Sequence, residues 1–158
     1  MNWRAVLHDK ILMGAGAGLV ADLLQDRLQS VMKKQGWIRL TLDQLAGSLF
    51  IRDVSLLDSP LAELVSTFSG VIFSMILGIL FVYLLDRLGF RYVVFKGVLF
   101  GAVLWFAVYG GLCAALGIPH LQDHQPLHAL VQLLGHLVFG LLLGGIVAWY
   151  NRALWKVP

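Results

Sequence analysis

Three stretches of the chain run for about the thickness of a bilayer without a charged side chain. None falls between Glu63 and Asp86, between Lys96 and Asp123, or between Asp123 and Arg152. A helix needs about 20 mainly apolar residues to cross the ~30 Å hydrocarbon core. The windows therefore predict spans over residues 61–86, 92–116 and 128–150. A fourth apolar run, residues 11–24, contains Asp22 and covers only about 21 Å at 1.5 Å per residue. It has two readings. A basic start followed by an apolar run with Ala15, Ala17 and Ala21 resembles a cleaved signal peptide. Helical periodicity nevertheless continues past the run. Ala15, Gly18, Asp22, Asp26, Gln29 and Lys33 share one face, and Val20, Leu24, Leu28 and Val31 share the opposite one. That continuity favours a first span over residues 5–30, with its small and polar stripe turned inward and Gly36 ending the helix.

Connections between the runs are short except one. Gly89 lies in the few residues joining the second and third spans, which predicts that these two pack as an antiparallel hairpin. Ser59-Pro60 is a helix-start signal, and Gly117-Ile118-Pro119 closes the third span. Within the long connection 36–59, Thr41-Leu42-Asp43-Gln44 fits a capping box, and Leu42, Leu45 and Leu49 recur at helical spacing. A short amphipathic helix over 42–50 is expected there, on the bilayer surface or folded over the mouth of the bundle. The predicted fold is all-α: one transmembrane domain over residues 1–158, a four-helix bundle with this interfacial helix between its first two spans.

Composition agrees with that pattern. Hydrophobic residues make up 59% of the chain and charged residues 13%, against ~25% charged in an average soluble domain. Intrinsic disorder is excluded by the apolar content, and a disulfide framework by the single cysteine, Cys113. The net charge of +3 is spread over the ends of apolar runs. It reads as interfacial anchoring, with no nucleic-acid partner. Arg87 and Arg91 lie in the second connection, whereas the third holds neither Lys nor Arg. The positive-inside rule then places both termini in the cytoplasm. Arg27, Lys33, Lys34, Arg39 and Arg52 fall on the outer side and make the asymmetry small. Trp3, Tyr83, Tyr92, Trp149, Tyr150 and Trp155 fall at one face as an interfacial belt.

Lipid tails offer no hydrophobic drive for helix association, so close backbone packing and polar contacts must supply it. Gly14 with Gly18, Gly97 with Gly101, and Gly140 with Gly144 have the spacing such packing uses. Lys96-Gly97, Phe100-Gly101, Trp105-Phe106 and Tyr109, together with Gly78-Ile79-Leu80-Phe81 and Gly140-Leu141-Leu142-Leu143-Gly144, resemble a family of small four-span bacterial inner-membrane proteins. The glycine-rich first span and the insert at 42–50 fit as well, so the likeness covers about residues 11–150. That family has no established activity. The resemblance implies the architecture and a bacterial cytoplasmic membrane, and it transfers no catalytic residue.

Three ionisable residues fall inside predicted spans. Asp22 costs about 2.5–3.5 kcal/mol to insert and belongs in the bundle interior. It is either a proton or ion site or a structural acceptor, and His136, at similar depth, is the expected partner. Lys96 sits about one turn into the third span, from where its ammonium can reach the interface. His120, His124 and His128, spaced by four, form with Asp123 a weak metal candidate. Pro126 interrupts that run, so no bound metal is expected. No nucleophile elbow, phosphate loop or metalloprotease motif is present, and no cofactor is expected. The leading expectation is a non-enzymatic accessory, scaffold or interaction subunit. Its partners are lipid and either further copies of itself or another membrane protein. A small transporter or proton-coupled conductor using Asp22 and His136 is the alternative, and metal binding through the outer-loop histidines a third.

Overall fold

A computed structural model describes residues 9–51, 53–112, 115 and 126–155. Five α-helices appear: α1 (Lys10–Lys34), α2 (Leu42–Gly47), α3 (Pro60–Leu88), α4 (Val93–Leu104) and α5 (Pro126–Tyr150). Two of them, α3 and α5, are long and apolar enough to cross a membrane. α4 continues as a wider π-helical stretch, Trp105–Leu112, and α5 as Asn151–Trp155. There is no strand among the described residues.

Local sequence sets the helix ends. The Asp9 carboxylate accepts from the backbone N–H groups of Ile11 and Leu12 and opens α1. Gly36, at φ 73°, turns the chain away after it. The capping box is complete: Thr41 Oγ1 accepts from Gln44 N, and Gln44 Oε1 from Thr41 N. Ser59 caps α3 with Pro60 in its first turn, as the sequence indicates. At the other end of α3, Lys96 Nζ donates to the carbonyls of Leu88 and Gly89 at 2.8 and 2.7 Å. A lysine from the next helix thus satisfies acceptors that a helix C-terminus leaves free.

Packing departs from the expected hairpin. α3 lies along α1, α4 along α5, and α1 against α5, which gives the order α3–α1–α5–α4. α3 and α4 are consecutive, yet they touch little. The reason is where the small residues fall. A methyl group on Gly18 would strike the Ser74 carbonyl, and one on Gly78 the Gly14 carbonyl. Across the second seam, Gly97 meets the Gly140 carbonyl and Gly101 the His136 carbonyl. Ala62, Ser66, Gly70, Ser74 and Gly78, four apart, form a stripe along α3, and all are buried. The stripe mixes serine and alanine with glycine, so glycine spacing alone does not reveal it. Ser74 and Gly78 set α3 against α1, and Ser66 and Gly70 receive α2.

The two ends of the molecule differ. Near the α3–α4 turn, all four long helices contribute to an apolar core with Ala21, Phe81, Val82, Leu85, Leu143 and Val147 at 0% exposure. Phe81 and Phe100 meet across it with ring centroids 5.2 Å apart. Lys10 pairs with Asp86 at 2.6 Å at that end, and Lys33 with Asp58 at 2.7 Å at the opposite one. Both pairs are partly exposed and hold register more than they stabilise.

Gly97→Val is expected to destabilise the fold by at least the ~1–3 kcal/mol of ordinary overpacking, because backbone cannot move aside as a side chain can. Gly16→Ala and Gly145→Ala, where nothing lies within 4 Å of the added carbon, are expected to be neutral or stabilising. Denaturant unfolding in detergent compares them, and equal losses at all three sites would contradict the seam.

Candidate functional site

At the end away from the α3–α4 turn, the interior turns polar. One face of α1 carries Asp22, Gln25 and Gln29, all buried, while Val20, Leu24, Leu28 and Val31 on the other face are exposed. Helical spacing alone produces that division. Asp22 does lie inside. Its partner, however, is Ser74 on α3, whose Oγ–H donates to Oδ1 at 2.6 Å. His136 does not pair with it. The imidazole Nδ1–H donates instead to the carbonyl of Gln132, one turn back on α5, at 2.7 Å. Ser74 wins because the α1–α3 seam closes right beside it, at Gly18. Asp22 and His136 nevertheless line the same cavity.

Glutamines tie the remaining elements together. Gln25 Nε2 donates to the Gly135 carbonyl at 2.8 Å, joining α1 to α5. Gln132 Nε2 donates to the carbonyl of Leu40 at 3.1 Å. Gln29 Oε1 accepts from Leu42 N at 2.6 Å, so the first residue of α2 is hung from α1. Each bond satisfies a backbone group that burial would otherwise penalise.

The bonds at Leu40 and Leu42 draw α2 inward, where it packs along α3. It is shorter than the expected 42–50, ending at Gly47. Its polar side faces inward: Asp43 and Gln44 are buried, and Leu49 and Phe50 beyond it are exposed. Two glycines make room. A methyl on Gly70 would collide with the Asp43 carboxyl, and one on Gly47 with Ser66. Asp43 was legible only as part of the capping box, since nothing in its local spacing shows that a small-residue stripe waits opposite.

Between α3 and α4 these elements leave a cavity of about 240 Å³. Its walls are mainly apolar, Phe73, Leu77, Leu104, Val108 and Phe139 among them, and Asp22, Gln25, Asp26, Gln29, Asp43 and His136 are among its polar members. Burial pushes the Asp43 carboxyl up to about 8, with the negative charges of Asp22 and Asp26 adding to it. At the exposed surface, Asp58 is held below the ordinary carboxylate range by its hydrogen bond to, and the charge of, Lys33.

Of the other sequence candidates, His120, Asp123 and His124 lie outside the described residues, and His128 sits in the first turn of α5. No cluster of three or more possible metal ligands occurs among the described residues. Lys96 lies at the α3–α4 turn, away from the cavity. No family model, no curated protein and no solved structure matches the chain.

The raised Asp43 carboxyl predicts a pH dependence. The folded chain keeps this proton up to about pH 8, whereas the unfolded chain releases it near the ordinary ~3.9. Its contribution to stability is therefore full below pH 4 and is lost as pH rises toward 8. The groups around it are Asp22, Asp26, Glu63, Asp58, Lys33 and Lys34. Detergent-solubilised protein should melt at a lower temperature at pH 8.5 than at pH 5.5, and Asp43→Asn should flatten that slope. A slope unchanged in Asp43→Asn would contradict the assignment.

Proposed function

We propose that the chain is a four-span integral membrane protein acting as a non-enzymatic binding subunit, with its site in one half of the bilayer. In this reading α1, α3, α4 and α5 cross the membrane and α2 folds into the outer half. Both termini lie in the cytoplasm, and the membrane is the bacterial inner one that the family resemblance implies. The observation that carries the proposal is the inversion of polarity. Asp22, Gln25, Gln29, Gln132 and His136 are buried, while Phe68, Ile72, Ile76 and Leu80 on α3 are more than half exposed. Lipid suits that surface, whereas water rarely meets apolar patches beyond a few hundred Å².

A binding role is favoured over conduction by where the polar lining stops. Asp22 and His136 share a cavity, which is what a proton-coupled path would need. Toward the α3–α4 turn that path would meet Phe81, Leu85, Leu143 and Val147, all at 0% exposure. A mainly apolar cavity with a few polar groups, closed beyond by packed side chains, holds a ligand rather than passing one.

Two measurements test this. In proteoliposomes with an imposed pH gradient, the protein should leave proton leak at the level of empty vesicles. A leak abolished by Asp22→Asn would replace binding with conduction. In whole cells, an impermeant maleimide should label Gln122→Cys and spare Gly89→Cys in a Cys113→Ser background, and the reverse pattern would invert the topology.

A further inference from the structure

The uncommitted hydrogen-bonding groups of the cavity lining are mostly acceptors; the exception is the Gln29 amide, whose Oε1 takes the Leu42 N–H and whose Nε2 stays a donor. Asp22 Oδ1 is taken by Ser74, but Oδ2 is buried with no partner among the described residues. Gln25 commits its Nε2 to the Gly135 carbonyl, which fixes the amide orientation and leaves Oε1 buried without a donor. These two residues are 7% and 3% exposed. His136 uses its Nδ1–H on the Gln132 carbonyl, so in the neutral ring Nε2 is also an acceptor. Asp26 and Asp43 add acidic side chains, and no Lys or Arg lines the space. Unmade hydrogen bonds at buried acceptors are costly, and a donor that enters recovers that cost.

The walls specify the rest of the ligand. Phe50, Phe73 and Phe139 line the cavity along with aliphatic side chains, and aromatic faces attract a cation as well as a hydrocarbon. A volume of about 240 Å³ is less than the roughly 300–1,000 Å³ of pockets that enclose a drug-sized molecule. It suits a head group whose remainder lies elsewhere. α3 and α4 touch little, and both line the cavity. The remainder can therefore lie between them, among exposed residues such as Ile72 and Ile76.

We infer that the cavity binds a membrane-borne, single-chain amphiphile with a protonated amine as its head, the ammonium set against Asp22, Gln25 and Asp43 and the chain leaving between α3 and α4. This rests on the binding role proposed above and names its ligand class. A phosphate-bearing head is disfavoured, because three acidic side chains and no Lys or Arg line the space.

Binding of dodecylamine to the full-length protein in phosphatidylcholine nanodiscs, by calorimetry at pH 7.5, tests it. Dodecanol, dodecanoate and butylamine serve as comparisons. Saturable binding of dodecylamine is expected. Dodecanoate should not compete, and butylamine should be far weaker for want of a chain. Asp22→Asn should weaken dodecylamine about tenfold or more, the scale of one charge-assisted hydrogen bond. Asp43→Asn, on a different element, should weaken it as well, and the melting temperature of each variant confirms folding. Ile76→Trp, at an exposed wall position, should block the opening. If dodecanol binds as well as dodecylamine and Ile76→Trp blocks both, the amine assignment falls while the binding role stands. If no amphiphile binds and Ile76→Trp changes nothing, both fall. Selective binding of a lysine-bearing transmembrane peptide in place of dodecylamine would overturn the amphiphile in favour of a protein partner.

Discussion

Two seams of backbone-to-backbone contact determine the rest of this structure. Where Gly14, Gly18, Ser74 and Gly78 meet, and where Gly97, Gly101, Gly140 and Gly144 meet, no side chain separates the helices. Dispersion forces fall off steeply with distance, so such contact is the strongest association that uncharged helices in lipid can make. Each seam consumes the small face of the helices that form it. α3 spends Ser74 and Gly78 on α1 and Ser66 and Gly70 on α2, and α4 spends Gly97 and Gly101 on α5, so none of these small residues is left for the α3–α4 pair. The separation of α3 from α4, and the cavity between them, follow from that exclusivity.

The polar interior is the second consequence. Once α1 and α5 are held in the middle, Asp22, Gln25, Gln29, Gln132 and His136 have no route to solvent, and each must find a partner nearby. Most of their capacity goes to backbone groups: the carbonyls of Gly135, Leu40 and Gln132, and the N–H of Leu42. Half of these ties hold the 36–59 connection rather than a long helix, which explains why α2 is drawn inward and why Asp43 is buried. Not every group finds a partner among the described residues: Asp22 Oδ2, Gln25 Oε1 and Gln132 Oε1 are buried acceptors without a donor, and Ser66 Oγ is a buried hydroxyl without a partner. Asp22 and Gln25 belong to the lining of a space with aromatic walls.

How much of this was legible in the sequence depended on the range of the interaction. Helix ends follow from neighbours in the chain, so the capping box at Thr41, the Ser59-Pro60 start and the turn at Gly36 read directly. The six glycines named from their spacing all lie in close contacts. Partner choice was not legible. The short link at Gly89 suggested an α3–α4 hairpin, yet a short link only brings two helices close at one end. Complementarity of small faces decides what they pack against, and Ser74 and Gly78 carried that signal for α1, with Ser66 and Gly70 for α2, at a four-residue interval that mixes serine with glycine. Asp22 could be placed inside from its cost in lipid, but Ser74 outcompetes His136 through an approach of backbones that no local spacing reveals. Asp43 lay hidden because a capping box explains an acidic residue at its position without requiring burial.

The separation of α3 from α4 is measured most directly by distances between nitroxide labels. In a Cys113→Ser background, double electron–electron resonance would compare an outer pair, Ile72→Cys with Val108→Cys, and an inner pair, Leu84→Cys with Val94→Cys. A clearly longer distance is expected for the outer pair, beyond what helices packed at about 8–10 Å between axes would give. Equal distances for the two pairs, both at packed-helix spacing, would mean that α3 and α4 form a closed hairpin and that no cavity separates them.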